Sequence, residues 1–186
     1  MTYYKFLTED NKGEYSRFDF TKYLPKDGQP GKWLPTVNKI SLCERGYHAF
    51  KFEQIFNWMN AQLYEVELSG KMIESNDKTV AEKMRFIRKV DIWNDRTARV
   101  FACDCAERVL PIYEKRYPDD NRPRHAIEVA RLYADGKATE EELAAARAAA
   151  WDAARAAARD AAWAAARDAE IKWQLYYLAN MLGIAQ

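Results

Sequence analysis

Two hydrophobic periods divide the chain: as far as Val90 the extended stretches alternate apolar with polar, and after Asp91 apolar residues recur every third or fourth position. In the first part, 3–7 reads as a strand and the aromatic-rich stretch 15–20 as a second one. The segment 25–31, with Asp27-Gly28 and Pro30-Gly31, is dense in turn residues, and 33–37 reads as extended. Within 40–50, Gly46 suggests a turn just before a short strand. Phe52, Ile55, Phe56 and Met59 fall at helical spacing and predict an amphipathic helix over 52–61. Alternation then predicts strands at 63–68 and 84–90, with a loop at Asn76-Asp77 between them. The expectation for 1–91 is a small, mostly antiparallel sheet with one helix across it.

The second part, 92–186, reads as all helical, which makes the chain α+β. Asn94 or Asp95 can cap a helix through Arg116, and Val100, Phe101, Cys103, Ala106, Val109, Leu110 and Tyr113 form its apolar face. Pro111 lies inside and should kink it. The run YPDDNRPR is a loop, and Pro123 fits the first turn of a second helix that stops at Asp135-Gly136. Thr139 followed by Glu142 has capping-box spacing, and Gly183 sits where a closing glycine belongs. Short connections between these helices imply an antiparallel bundle ending in a long Ala-rich helix.

That last helix carries a four-residue repeat, with Arg147, Trp151, Arg155, Arg159, Trp163, Arg167 and Ile171 at every fourth position and mostly alanine between them. Uninterrupted, residues 139–182 would span roughly 65 Å, so the helix must bend, split, protrude or find a partner. The large residues drift by about 40° per tetrad instead of forming one stripe. Farther on, 171–182 is apolar on nearly every side, which predicts that it is enclosed between bundle and sheet or across a homodimer interface.

Composition narrows the functional classes. With 29 basic against 28 acidic residues the formal charge is +1, which excludes a uniformly acidic DNA mimic and a nucleic-acid binder recognised by net charge. No apolar run is long enough for a membrane span and the first residues lack a secretory h-region, so the expected location is the cytoplasm. Cys43, Cys103 and Cys105 predict reduced, buried thiols. Their spacing builds no metal site, and no phosphate loop or catalytic motif implies a cofactor.

Three groups of residues carry chemistry. In the repeat, the tryptophans can be core anchors with solvated Arg and Asp around them, Asp152/Arg155 and Asp168/Lys172 pairing. Alternatively Trp151, Arg155, Arg159, Trp163 and Arg167 form a recognition face, since Trp and Arg dominate binding hot spots. Arg122 and Arg124, with His125, Lys115 and Arg116, form a basic cluster that could hold a phosphate or carboxylate at a helix start, or salt-bridge to Asp119 and Asp120. His48, near Cys43 and Arg45, reads first as a hydrogen-bonded fold residue and second as a catalyst.

The segments CAERVLPIYE, PDDNRPRHAIE and the Ala-rich run opened by TEEEL resemble the helical family of immunity proteins from bacterial toxin–immunity loci. YYKFL, the CERGYHAF run and LYEVELSG resemble a small α/β domain of phage and prophage proteins. Gly46-Tyr47-His48 with 52–61 and 63–68 is also similar to ADP-ribosyltransferase-like folds, without a catalytic glutamate motif. These resemblances imply a non-enzymatic protein that binds and inhibits another protein such as a toxin, effector or defence nuclease. It would act as an immunity protein or as a counter-defence factor such as an anti-CRISPR protein. An ADP-ribosyl-type enzyme in the N-terminal half is the alternative, and nucleic-acid binding through the Arg-bearing helix is a second.

Overall fold

A computed structural model describes the backbone of residues 2–157 and 164–184, and the side chains of residues 2–150 and 169–184. The chain is α+β and falls into two compact units, Met1–Trp93 and Asn94–Gln186.

The first unit is built on β1 (Tyr3–Leu7), β2 (Tyr47–Ala49), β3 (Gln62–Glu74) and β4 (Thr79–Lys89). They form one antiparallel sheet in the order β1-β3-β4-β2, with Tyr3 opposite Val66 and His48 opposite Val80. Just past β2, Phe50 exchanges backbone hydrogen bonds with Tyr4 at 2.8 and 2.9 Å, so the two outer strands meet and the sheet curls on itself. Alternate residues of each strand therefore point into one core. Tyr3, Leu7, Tyr64, Val66, Met84 and Phe86 meet there. Phe20 and Tyr64 approach the Phe86 ring edge-on at 5.3 and 5.2 Å, the geometry that the ring quadrupole favours.

The extended segment 31–37 has a defined job. Gly31, Leu34 and Val37 donate to the carbonyls of Phe86, Met84 and Glu82 at 2.8–2.9 Å, which covers the edge of β4 beyond β2. Asp27 and Gly28, both at positive φ, turn the chain back with Lys26 and Gln29 bonded to each other. Gly46, just before β2, has φ +122°, and a methyl group there would lie 2.5 Å from Val80 Cγ2, so any side chain would be strained.

Two expected elements differ. Residues 15–20 are a tight turn closed by Gly13 N–H to Phe18 O and Phe20 N–H to Asn11 O; their aromatics serve the core from a loop, with Phe20 buried and Phe18 exposed. The expected helix over 52–61 is a single 3-10 run, Phe52–Asn57. Lys51 N–H donates to Gln54 Oε1 at its start, and Trp58 Nε1 donates to Asp77 O at 2.6 Å just beyond its end, so the connection is too short and too firmly anchored for a longer helix. β3 and β4 also extend past the alternating stretches. Their outer residues, such as Met72, face solvent, and cross-strand pairs Arg85–Glu67 and Arg88–Glu65 join the ribbon.

The second unit opens with α1 (Asp95–Arg116), capped by the Asn94 side chain accepting from Thr97 N–H, and runs through Pro111 without ending. α2 (Arg122–Ala134) carries Pro123 in its first turn. Gly136 then closes it at φ +70°, with Gly136 and Lys137 amides donating to Tyr133 and Leu132. Thr139 and Glu142 form the capping box that opens α3 (Glu140–Ala157). α4 (Ala164–Leu182) ends on Gly183 in the same glycine-closed manner, through Gly183 N–H to Asn180 O and Ile184 N–H to Ala179 O.

Ion pairs fix the direction of packing. Glu114 meets Arg124, Glu107 meets Arg131, and Arg96 meets Asp135, so positions descend on α1 as they ascend on α2 and the two helices run antiparallel. α4 joins α1 by a different set: Tyr177 stacks on Phe101 at 6.2 Å and donates to Asp104, while Arg108 covers the Trp173 ring at 4.2 Å. Leu178, Ala179 and Leu182 are buried, but Tyr176 keeps 61% of its surface exposed. Within the single chain, 171–182 is thus covered at Leu178, Ala179 and Leu182 and uncovered at Tyr176.

Candidate binding face of the helical unit

On α1, Asp95, Arg99, Ala102, Ala106, Val109 and Tyr113 follow one another at alternating intervals of four and three, which aligns them along one face of the helix. That stripe forms one wall of a groove of about 590 Å³, with Ala126, Ile127 and Ala130 of α2 beneath it and Arg147 and Ala150 of α3 on the other side. Ala102 and Ala106 are exposed, and Val109 and Ile127 only partly covered. A heptad-like stripe left open on a helix surface is unusual, since such stripes normally face a partner.

Charges surround the groove in fixed pairs. Arg99 binds Asp95 at 2.9 Å and lies over the Tyr133 ring at 4.7 Å. At the other end Tyr113 donates to Asp120 at 2.6 Å, and Arg122 grips the same carboxylate through two nitrogens at 2.8 and 2.6 Å. The Arg122 guanidinium and the Tyr113 hydroxyl hold the Asp120 carboxyl well below the usual carboxylate range. Burial and that same carboxylate push the Tyr113 phenol up to about 12. Arg131 bridges Asp104 and Glu107 at 2.7 and 2.6 Å.

The residues expected to bind are distributed unevenly. Arg122 and Arg124 are engaged within the unit: Arg122 holds Asp120, as the salt-bridged reading of that cluster anticipates, and Arg124 holds Glu114 at 2.7 and 2.9 Å, a partner outside that reading. The side chains of Trp151, Arg155 and Arg167, and with them Asp152 and Asp168, lie outside the described residues, as do Arg159 and Trp163 altogether. Arg147 is exposed and, among the described residues, no carboxylate accompanies it.

In the first unit, His48 is committed to the fold. Its Nε2 accepts from the Cys43 amide at 3.1 Å, and its carbonyl accepts from Lys5 Nζ at 2.8 Å. Burial lowers the imidazole pKa, and the Lys5 and Lys78 charges add to the effect, so the ring accepts as the neutral form. Lys5 sits on the inner side of β1 over the Phe20 ring at 5.3 Å, and burial pushes its amine down to about 8. Cys43, expected to be buried, is exposed because it occupies a loop at φ +67°; Cys103 is buried, and burial pushes the Cys105 thiol up to about 11. Among the described residues no three metal-ligating side chains converge, and no helix is long and apolar enough to cross a membrane.

Comparison with known proteins bears on the same helices. Residues 89–175 match the family described as Imm-5 like putative immunity protein. The match takes in α1, α2, α3 and the first part of α4, including every described residue that lines the groove. No curated protein and no solved structure matches the chain.

Proposed function

We propose that the chain is a binding protein that inhibits a bacterial toxin or comparable effector by occupying it, without chemistry of its own. The observation that carries this reading is the immunity-family match over 89–175, which covers most of the helical unit and includes its open face. An apolar stripe framed by fixed ion pairs suits protein recognition: the apolar floor gives up ordered water on contact, while the paired rim sets orientation. The N-terminal unit acts as a scaffold in this account, with its one histidine held by backbone groups. A phage or mobile-element origin, action as a counter-defence factor, and a bacterial cytoplasmic site of action are compatible extensions of the same proposal.

Co-expression with growth-arresting bacterial toxin domains tests it. The expected result is that one toxin is neutralised, that it forms a stoichiometric complex with the purified chain, and that its activity falls as the complex forms. A toxin bound at equimolar ratio with undiminished activity would overturn the reading.

A further inference from the structure

The described arginines of the helical unit are almost all spoken for. Arg96, Arg99, Arg108, Arg122, Arg124 and Arg131 each hold a carboxylate, and Arg116 lies against the Tyr117 ring at 5.9 Å. Arg147 stands apart: it is exposed at the groove, beside Ala150 and across from Ala102 and Ala106, with no carboxylate among the described residues. A guanidinium is always charged, and its forked donors match a carboxylate in geometry.

The groove's shape supplies the second half of the argument. Asp95 to Tyr113 on α1 is a rise of roughly 27 Å, or five helical turns. Its four-three spacing is the pattern against which another helix packs, and alanines at Ala102, Ala106, Ala126 and Ala130 admit a helix backbone near the short end of the usual 8–10 Å separation. We infer that this groove receives an amphipathic helix of the protein partner, small and apolar on its inner side, with an Asp or Glu that Arg147 binds. The inference rests on the proposal that the helical unit binds a protein, and it names which face and which chemistry.

Two dyes differing in one group test the site on the intact protein. Anilinonaphthalene sulfonate is an apolar anion, and N-phenylnaphthylamine is the same ring system without the charge. Wild-type protein should bind the anion up to about fivefold tighter than the neutral dye, the margin of one favourable exposed ion pair. Arg147→Met should remove that preference while leaving the neutral dye bound; Ala106→Trp should fill the groove and weaken both, with the helical circular dichroism of each variant unchanged. Equal affinities in the wild type, a preference that survives Arg147→Met, or binding that survives Ala106→Trp would each overturn the inference. So would failure of both dyes to bind, which is the result if the chain's own residues or a second copy fills the groove. The two proposals fail separately: a toxin bound with undiminished activity would sink the function proposed above and leave the dye result standing.

Discussion

The two units keep their shape by different means. In the first, Leu7, Ile55, Leu63, Val80, Met84 and Phe86 are sealed from solvent inside a curled sheet, and an extended segment guards the edge of β4. In the second, the open stripe of α1 carries the small residues Ala102 and Ala106, and antiparallel alignment is written in paired charges that leave one apolar face open. A sealed aromatic core confers rigidity, whereas an open small-residue face framed by charge suits contact; on that ground we propose scaffold for the first unit and recognition for the second.

The largest break in that comparison should come from Phe86→Ala. Phe86 is fully buried among Phe20 and Tyr64, and truncation should cost about 3–5 kcal/mol. Near-ultraviolet circular dichroism should show the aromatic signal of the N-terminal unit melting earlier, while the helical transition at 222 nm keeps its midpoint. If both transitions move together, the units are not separable.

Next in size is a pH effect confined to the first unit. The folded-state pKa of Lys5, about 8, lies below its ordinary value of 10.5. Below pH 8 the folded state therefore holds an enclosed charge that the unfolded state holds at no cost. Between pH 8 and 10.5 the folded form has lost its proton while the unfolded form keeps it, so stability should rise by up to about 3 kcal/mol across that window. Denaturant melts at pH 7, 8.5 and 10 would show it, and Lys5→Met should flatten the difference. A stability that falls with pH in the wild type would contradict the burial of that amine.

Smaller effects belong to the ion pairs. Arg131→Met unpairs Asp104 and Glu107 and should destabilise the helical unit by about 1 kcal/mol, with the loss shrinking in 1 M salt. The smallest predicted change is a gain: the Thr79 hydroxyl is buried with no partner among the described residues, so Thr79→Val should stabilise the sheet by up to about 1 kcal/mol in a thermal melt.

Periodicity made much of this legible. Asn94, Pro123, Thr139 with Glu142, Gly136 and Gly183 mark helix ends by local chemistry that acts within a few residues, and each does what its position implies. Local pattern misled where distant anchors decide: Phe52, Ile55 and Phe56 sit at helical spacing, yet Trp58 is tied to Asp77 O and the helix never lengthens. Phe20 and its neighbours carry the composition of a strand because they pack on Phe86 from a turn. At the site, the sequence drew attention to the large residues of the alanine repeat. The groove shows through the alternating intervals from Asp95 to Tyr113, and Arg147 is set apart by the ion pairs of most other described arginines of the helical unit, a property of three-dimensional neighbours.

Amide hydrogen exchange on the full chain, alone and bound to a neutralised toxin, tests the division of labour most directly. The account predicts added protection along α1 from Asp95 to Tyr113, in α2 around Ala126–Ala130 and in α3 near Arg147, with β1, β3 and β4 unchanged. Protection gained in β3 and β4 with none on the helices would contradict it.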